Sequence, residues 1–89
     1  MTEVSTGVRV TVRYFAAARA AAGADTQTVL VEPGTTAADL VAKLGNQNPR
    51  LAKVLMRCSY LCDEVALRDL DAPLRTGQTV DVLPPFAGG

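Results

Sequence analysis

The chain has 89 residues, of which 48% are hydrophobic and 20% are charged. This length allows one domain with one modest core, and this composition excludes a disordered chain. Nine lysine and arginine residues balance nine aspartate and glutamate residues. The resulting net charge of zero argues against a nucleic acid or an anionic membrane as partner. The chain contains no histidine, which excludes His-based catalytic triads and the usual zinc sites.

The amino-terminal segment and the hydropathy of the chain predict a soluble protein of the cytoplasm. Glu3 stands where a signal peptide carries lysine or arginine, and no apolar run approaches the ~18 residues of a membrane span. Because so short a chain carries so little catalytic equipment, a carrier or binding module is favoured over a self-sufficient enzyme.

The two cysteines predict neither a metal centre nor a disulfide. Cys58 and Cys62 would share one face of a strand, but about 13 Å would separate them, which is too far for a disulfide. A metal would need further ligands, and the sequence has no histidine and no third cysteine. We therefore favour a core or half-buried role for both thiols over a persulfide relay.

Hydrophobic periodicity and turn residues divide the chain into strands and short helices. In chain order, the predicted elements are a strand at 8–15, a helix at 16–22, a strand at 26–32, a helix at 37–44, a helix from 49, strands at 57–62 and 65–68, and a last strand at 79–83. Thr36 and Asp39 have the spacing of a capping box for the second helix, which is expected to stop at Gly45. Asn48 then fits the N-cap of the third helix, with Pro49 at its first position.

This order of elements predicts a small α+β domain, in which a mixed sheet packs against one layer of helices. The domain is expected to cover residues 1–83. Pro84 and Pro85 end the last strand because neither proline can donate a hydrogen bond to a sheet ladder. Residues 84–89 would then form an extended tail.

The last six residues, PPFAGG, carry most of the functional information. Two prolines favour an extended, polyproline-like conformation, and two terminal glycines add no side chain and no restriction on φ. Such an arm can thread a narrow channel and bring its terminal carboxylate to the active site of another protein. Phe86 favours this interpretation over a frayed end, because an exposed aromatic residue often marks a partner surface.

Three segments carry a resemblance to a known family: VTVRYFAAAR at 10–19, Ala72-Pro73-Leu74 with Gly77, and VDVLPPFAGG at 80–89. Through these segments the chain resembles the small, sulfur-carrying subunits of molybdopterin synthase. The resemblance implies their ubiquitin-like β-grasp fold, with one main helix plus short helices and a Gly-Gly tail. The chain differs at 62–64, where family members often carry an asparagine-containing turn, and in a somewhat longer connection at 65–71.

The resemblance also implies a reaction at the tail. In the family, a ubiquitin-activating-like adenylyltransferase uses ATP to adenylate the terminal glycine, and a sulfur donor protein supplies the sulfur of a thiocarboxylate. Here the reactive group would be the carboxyl of Gly89, with Gly88 permitting close approach. The partner-binding residues would be Pro84, Pro85, Phe86 and Ala87.

The acceptor implied by the resemblance is a larger partner protein. The tail would enter the large catalytic subunit of molybdopterin synthase, in an assembly of two small and two large subunits, and pass sulfur to cyclic pyranopterin monophosphate. The chain would bind no cofactor or metal and would not be catalytic alone. It would work in molybdenum cofactor biosynthesis.

Other functions stay open at this point. The chain could carry sulfur for cysteine or thiamine biosynthesis, or act as a ubiquitin-like modifier joined through Gly89 to lysines. An interaction module with an inert tail is the third alternative.

Several exposed side chains have no assigned role from the sequence alone. Arg9 and Arg13 share one strand face, either solvated or paired with acids of a partner. Phe15 and Leu61 either cover the core or join Phe86 in an apolar docking surface. The acidic stretch at 63–71 is interpreted as a solvated turn rather than a docking patch.

Overall fold

The structure, a computed structural model, describes residues 7–85. Its elements are β1 (Val8–Tyr14), α1 (Ala16–Ala22), β2 (Thr26–Val31), α2 (Ala37–Gln47), α3 (Pro49–Leu55), β3 (Ser59–Cys62), β4 (Val65–Ala66) and β5 (Thr79–Leu83). The α1 and β5 bounds agree with the sequence-based prediction to the residue. The predicted boundary between a domain at 1–83 and a tail at 84–89 stays a prediction, since most of the tail lies outside the described residues.

The strands form one mixed sheet in the order β2-β1-β5-β3-β4. β1 and β5 run parallel at its centre, while the other three pairs are antiparallel. A parallel pair requires a crossover, and all three helices lie in the segment between β1 and β5. This architecture confirms the predicted α+β class and β-grasp fold.

The core lies between the helices and one face of the sheet. Valines and tyrosines at every second strand position meet the apolar sides of the helices. The buried hydrophobic residues are Val10, Val12, Tyr14, Ala18, Val29, Val31, Ala37, Leu40, Leu44, Leu51, Leu55, Tyr60, Leu74, Val80 and Val82. Because α1, α2 and α3 all contribute residues to this core, none of these helices covers the opposite face of the sheet within residues 7–85.

Local capping explains where α2 and α3 begin. The Thr36 hydroxyl accepts from the amide of Asp39, and the Asp39 carboxylate accepts from the amide of Thr36, which is the predicted capping box. Asn48 caps α3 through its Oδ1 atom, and Pro49 takes the first helical position. Both predicted helix starts are therefore confirmed.

The predicted end of α2 at Gly45 is wrong, because the helix continues to Gln47. Gly45 is instead a packing residue. A Cβ built on it would lie 3.2 Å from the Cβ of Ala52 in α3, so the missing side chain allows α3 to approach α2 closely.

All predicted strands except the last are shorter in the structure, and β1 and β2 each end one residue earlier than predicted, at Tyr14 and Val31. β3 begins at Ser59 rather than at residue 57, because the amides of Arg57 and Cys58 still donate to carbonyls at the end of α3. β4 ends at Ala66 rather than at residue 68. Beyond it the chain turns toward α2, where the Leu70 carbonyl accepts from the amide of Ala38.

Candidate functional site

The start of the predicted tail is anchored to the centre of the sheet. β5 lies between β1 and β3, and its Val80 and Val82 side chains are buried in the core. Pro84 follows directly and is buried, whereas Pro85 is exposed. The sequence-predicted site residues Phe86, Ala87, Gly88 and Gly89 lie outside the described residues. The structure therefore fixes the point from which the tail leaves, at one end of a rigid strand.

The helix-free face of the sheet presents an apolar patch beside this exit point. Strand register places the half-buried Leu83 next to Ser59 of β3, and the amide of Phe15 donates to the Val82 carbonyl. On the same face, Leu61 of β3 lies opposite Asp81, which is two residues further from the tail along β5 than Leu83. We call the side chains of Phe15, Leu61 and Leu83 the outer patch.

Phe15 is the aromatic member of the outer patch, and 37% of its surface remains exposed. It stands at the N-cap of α1 in an extended conformation, while the next residue, Ala16, has a φ of 50°. The chain thus turns sharply from strand to helix and leaves the Phe15 ring on the sheet face away from the core. The structure thus places Phe15 and Leu61 on the face away from the core, and their predicted docking role with Phe86 stays a prediction.

An ion pair borders the outer patch. The Arg13 guanidinium donates to both oxygens of Asp81, through Nε at 2.7 Å and Nη2 at 3.0 Å. The Asp81 side chain is only 4% exposed, whereas that of Arg13 is 43% exposed. The hydrogen bond and the charge of Asp81 raise the pKa of Arg13, and its guanidinium carbon lies 5.4 Å from the centre of the Phe15 ring, within cation–π range.

Sequence reasoning missed the partner of Arg13. It placed Arg13 on the outer strand face but left it to solvent or to an external acid. The available signal was Asp81 itself, a lone carboxylate within the apolar β5 sequence TVDVL. A buried carboxylate requires a partner, and the parallel register places Arg13 beside it.

A groove lies on the helical side of the tail exit. It has a volume of about 710 Å³ and is lined by Ala17, Lys53, Val54, Met56, Arg57, Pro84 and Pro85. Two of these residues are cationic and none is acidic. Met56 is 84% exposed. The tail exit is therefore flanked by an apolar patch on the sheet face and by a groove with positive charge on the helix side.

Both cysteines are half-buried and free, as the sequence predicts. The thiol of Cys58 donates to the Val54 carbonyl at 3.2 Å and packs against the core. Burial raises the pKa of both thiols, and the nearby Asp63 raises that of Cys62 further. A raised pKa lowers the thiolate fraction, which favours the packing role predicted from the sequence over a persulfide relay.

The described residues contain neither a candidate metal centre nor a membrane-spanning helix. Within residues 7–85, no group of three or more potential ligands is placed to hold a metal ion. In the same range, no helix has the length and hydropathy required to cross a membrane. The reactive group that the sequence predicts, the carboxylate of Gly89, lies outside the described residues.

Comparisons with known proteins agree with this geometry. A molybdopterin synthase sulfur carrier subunit of Chlamydomonas reinhardtii is 31% identical over 83 residues, which cover 92% of this chain and 100% of the relative. The crystal structure of the small archaeal modifier protein 1 of Haloferax volcanii superposes with a TM-score of 0.78 at 23% identity, covering 89% of this chain and 99% of that one. A Helicobacter pylori structure, a complex of subunits 1 and 2 of molybdopterin-converting factor, gives a TM-score of 0.71 at 23% identity, over 92% of this chain and 100% of the matched one.

The two solved structures establish the fold that this chain shares with them. A family assignment comes from the sequence, since residues 12–89 match the ThiS family over both the described fold and the Gly-Gly ending. This chain belongs to the ThiS family.

Proposed function

We propose that this protein is the sulfur carrier of a molybdopterin synthase. The proposal is supported by the name of the Chlamydomonas relative, which matches over its whole length. The observation that carries the proposal is the placement of the tail exit. A Pro-Pro segment leaves the central strand β5 beside an uncovered apolar patch, and a Gly-Gly ending follows in the sequence.

The proposed chemistry takes place at the carboxyl group of Gly89. A carboxylate oxygen is a poor leaving group, so a ubiquitin-activating-like adenylyltransferase first transfers AMP from ATP to this oxygen and releases pyrophosphate. A persulfide on a sulfur donor protein then attacks the acyl carbon, and AMP leaves. Reductive cleavage of the resulting acyl disulfide by a thiol leaves the thiocarboxylate. Gly88 keeps the approach free of side chains.

The proposed acceptor lies in the large catalytic subunit of the synthase. There the Gly89 thiocarboxylate transfers sulfur to cyclic pyranopterin monophosphate. The Helicobacter complex, in which a similar fold is seen with a second subunit, supports a partner of this kind. The outer patch lies beside the tail exit, so one partner surface can cover Phe15 and Leu83 while it receives the tail.

The experiment that tests this proposal removes Gly88 and Gly89. The truncated chain is incubated with ATP, the adenylyltransferase and the sulfur donor, and transferred sulfur is measured by mass spectrometry. We expect no sulfur transfer and an unchanged urea unfolding midpoint, because the last buried residue that the structure describes, Pro84, precedes the deleted glycines. Thr28→Ala is the matched control, since this exposed residue lies on β2 at the other side of β1 from β5. Sulfur loading of the truncated chain would contradict the proposal.

A ubiquitin-like protein modifier is the second candidate function. It is favoured by the structural likeness to the small archaeal modifier protein 1. A modifier forms isopeptide bonds between Gly89 and lysines of many proteins, whereas a synthase subunit forms a discrete complex. Peptide mass spectrometry of tryptic digests of cell extracts separates the two, because only the modifier leaves its carboxyl-terminal peptide at 76–89 joined through Gly89 to lysines of other proteins. A sulfur carrier for cysteine or thiamine biosynthesis would also be loaded at Gly89, but reconstitution with the pterin precursor would yield no molybdopterin.

A further inference from the structure

The Arg13 guanidinium has N–H donors that form no hydrogen bond with the described part of the chain. An arginine side chain has five N–H donors, and the fork to Asp81 occupies one on Nε and one on Nη2. Among residues 7–85, no other acceptor receives a hydrogen bond from this group. The remaining donors are hydrated in the free protein, since the Arg13 side chain is 43% exposed.

Docking of a partner on the outer patch would remove this hydration. Arg13 contacts the ring of Phe15, and Asp81 lies directly opposite Leu61 in the sheet. A protein surface that covers Phe15 and Leu61 therefore covers Arg13 as well. A donor that loses its water without gaining an acceptor is costly, so a well-matched partner carries an acceptor at this position.

The local charges decide the chemistry of that acceptor. The charge of Arg13 is already balanced by Asp81, and Glu64 adds a further negative field. A partner carboxylate would face these two acidic groups and would be repelled, whereas a neutral carbonyl would not. There is also room for a backbone segment, because a cleft of about 270 Å³ opens between Arg13 and the Asp63–Glu64 turn.

We propose that Arg13 donates a hydrogen bond to a main-chain carbonyl of the large subunit, within an otherwise apolar contact on the outer patch. Arg13 would thus determine partner specificity, because a purely apolar surface would leave its donors unsatisfied. This inference rests on the proposed function for the identity of the partner. Asp81 holds the guanidinium in position and does not itself contact the partner.

The test replaces the ion pair by apolar side chains of similar size. In the double variant Arg13→Leu/Asp81→Leu, no buried charge is left without a partner, and such replacements are usually tolerated by the fold. The matched control is Thr11→Leu/Thr28→Leu. These two residues are register neighbours on β1 and β2 and lie on the same face of the sheet as Arg13, but neither lines the cleft beside Arg13. Both variants make the sheet face more apolar, but only the first removes Arg13.

Binding of the full-length variants to the purified large subunit is measured by titration calorimetry. We expect the Arg13→Leu/Asp81→Leu variant to bind roughly tenfold more weakly, because the partner carbonyl loses its donor. The threonine control should stay within about twofold of the wild type. Equal or tighter binding of the Arg13→Leu/Asp81→Leu variant would overturn the inference, since a merely apolar partner gains from a more apolar patch.

Two further measurements keep the outcome unambiguous. If the double variant does not fold, Arg13→Lys retains the charge beside Asp81 but lacks the planar donor fork, and it should weaken binding severalfold. Unchanged binding of that variant would overturn the inference. Failure of the wild-type chain to bind the large subunit would count against the proposed function itself.

Discussion

Replacement of Asn48 by alanine should destabilise the domain by about 2 kcal/mol, because this one side chain joins α1 to α3. Its Oδ1 atom accepts from the amides of Arg50 and Leu51, both at 3.1 Å, and so caps α3. Its Nδ2 atom donates to the carbonyl of Ala21 at the end of α1, at 2.9 Å. Loss of an N-cap costs about 1 kcal/mol, and loss of the half-buried bond to Ala21 costs about as much again.

Asn48→Ser separates the two contributions. A serine hydroxyl can cap α3 but cannot reach the Ala21 carbonyl, so this variant should lose only about 1 kcal/mol. Urea unfolding followed by circular dichroism measures both values, and the alanine variant should melt roughly 10 °C lower. The reasoning fails if the alanine variant loses less than about 0.5 kcal/mol, or if serine is as harmful as alanine.

Three further predictions concern the turn, the core and the helix contact. Glu64→Gly should raise the free energy of unfolding by about 0.5–1 kcal/mol in urea titrations, because Glu64 has a φ of 72° that glycine adopts without strain; a loss of stability would contradict this. Burial raises the pKa of Tyr60 from 10.0 to about 12, so the unfolded chain releases this proton first and stability should fall as the pH rises between those values. Tyr60→Phe should flatten that fall in urea titrations across the same pH range, and an equally steep fall would refute the assignment to Tyr60. Gly45→Leu should cost about 1–3 kcal/mol in urea unfolding, because its Cβ would press on Ala52; Ala52→Gly in the same chain should restore part of the loss, and no rescue would argue against this contact.

The fold could be predicted largely from local signals in the sequence. Alternating valines indicated β1 and β5, and the capping residues Thr36 and Asn48 placed two helix starts. The misplaced boundaries depend on tertiary contacts. Gly45 resembles a helix stop in sequence, but the close approach of α3 explains its presence inside α2. No local pattern indicates such a contact.

The candidate site could be predicted only in part, for a similar reason. The tail is a sequence motif, and the placement of Phe15 on the outer face follows from strand alternation. The ion pair of Arg13 with Asp81 joins residues 68 positions apart. Its prediction requires the parallel register of β1 and β5, which hydrophobic periodicity does not give.

The measurement that tests the central claim most directly is the mass of the carboxyl-terminal peptide. The protein is incubated with ATP, the adenylyltransferase and the sulfur donor, and is then digested. We predict that one oxygen of the Gly89 carboxyl is replaced by sulfur. The change must be located on Gly89, because oxidation of methionine or cysteine adds a nearly equal mass. An unmodified Gly89, in the presence of an adenylyltransferase shown to be active on another carrier, would contradict the assignment of this protein as a sulfur carrier.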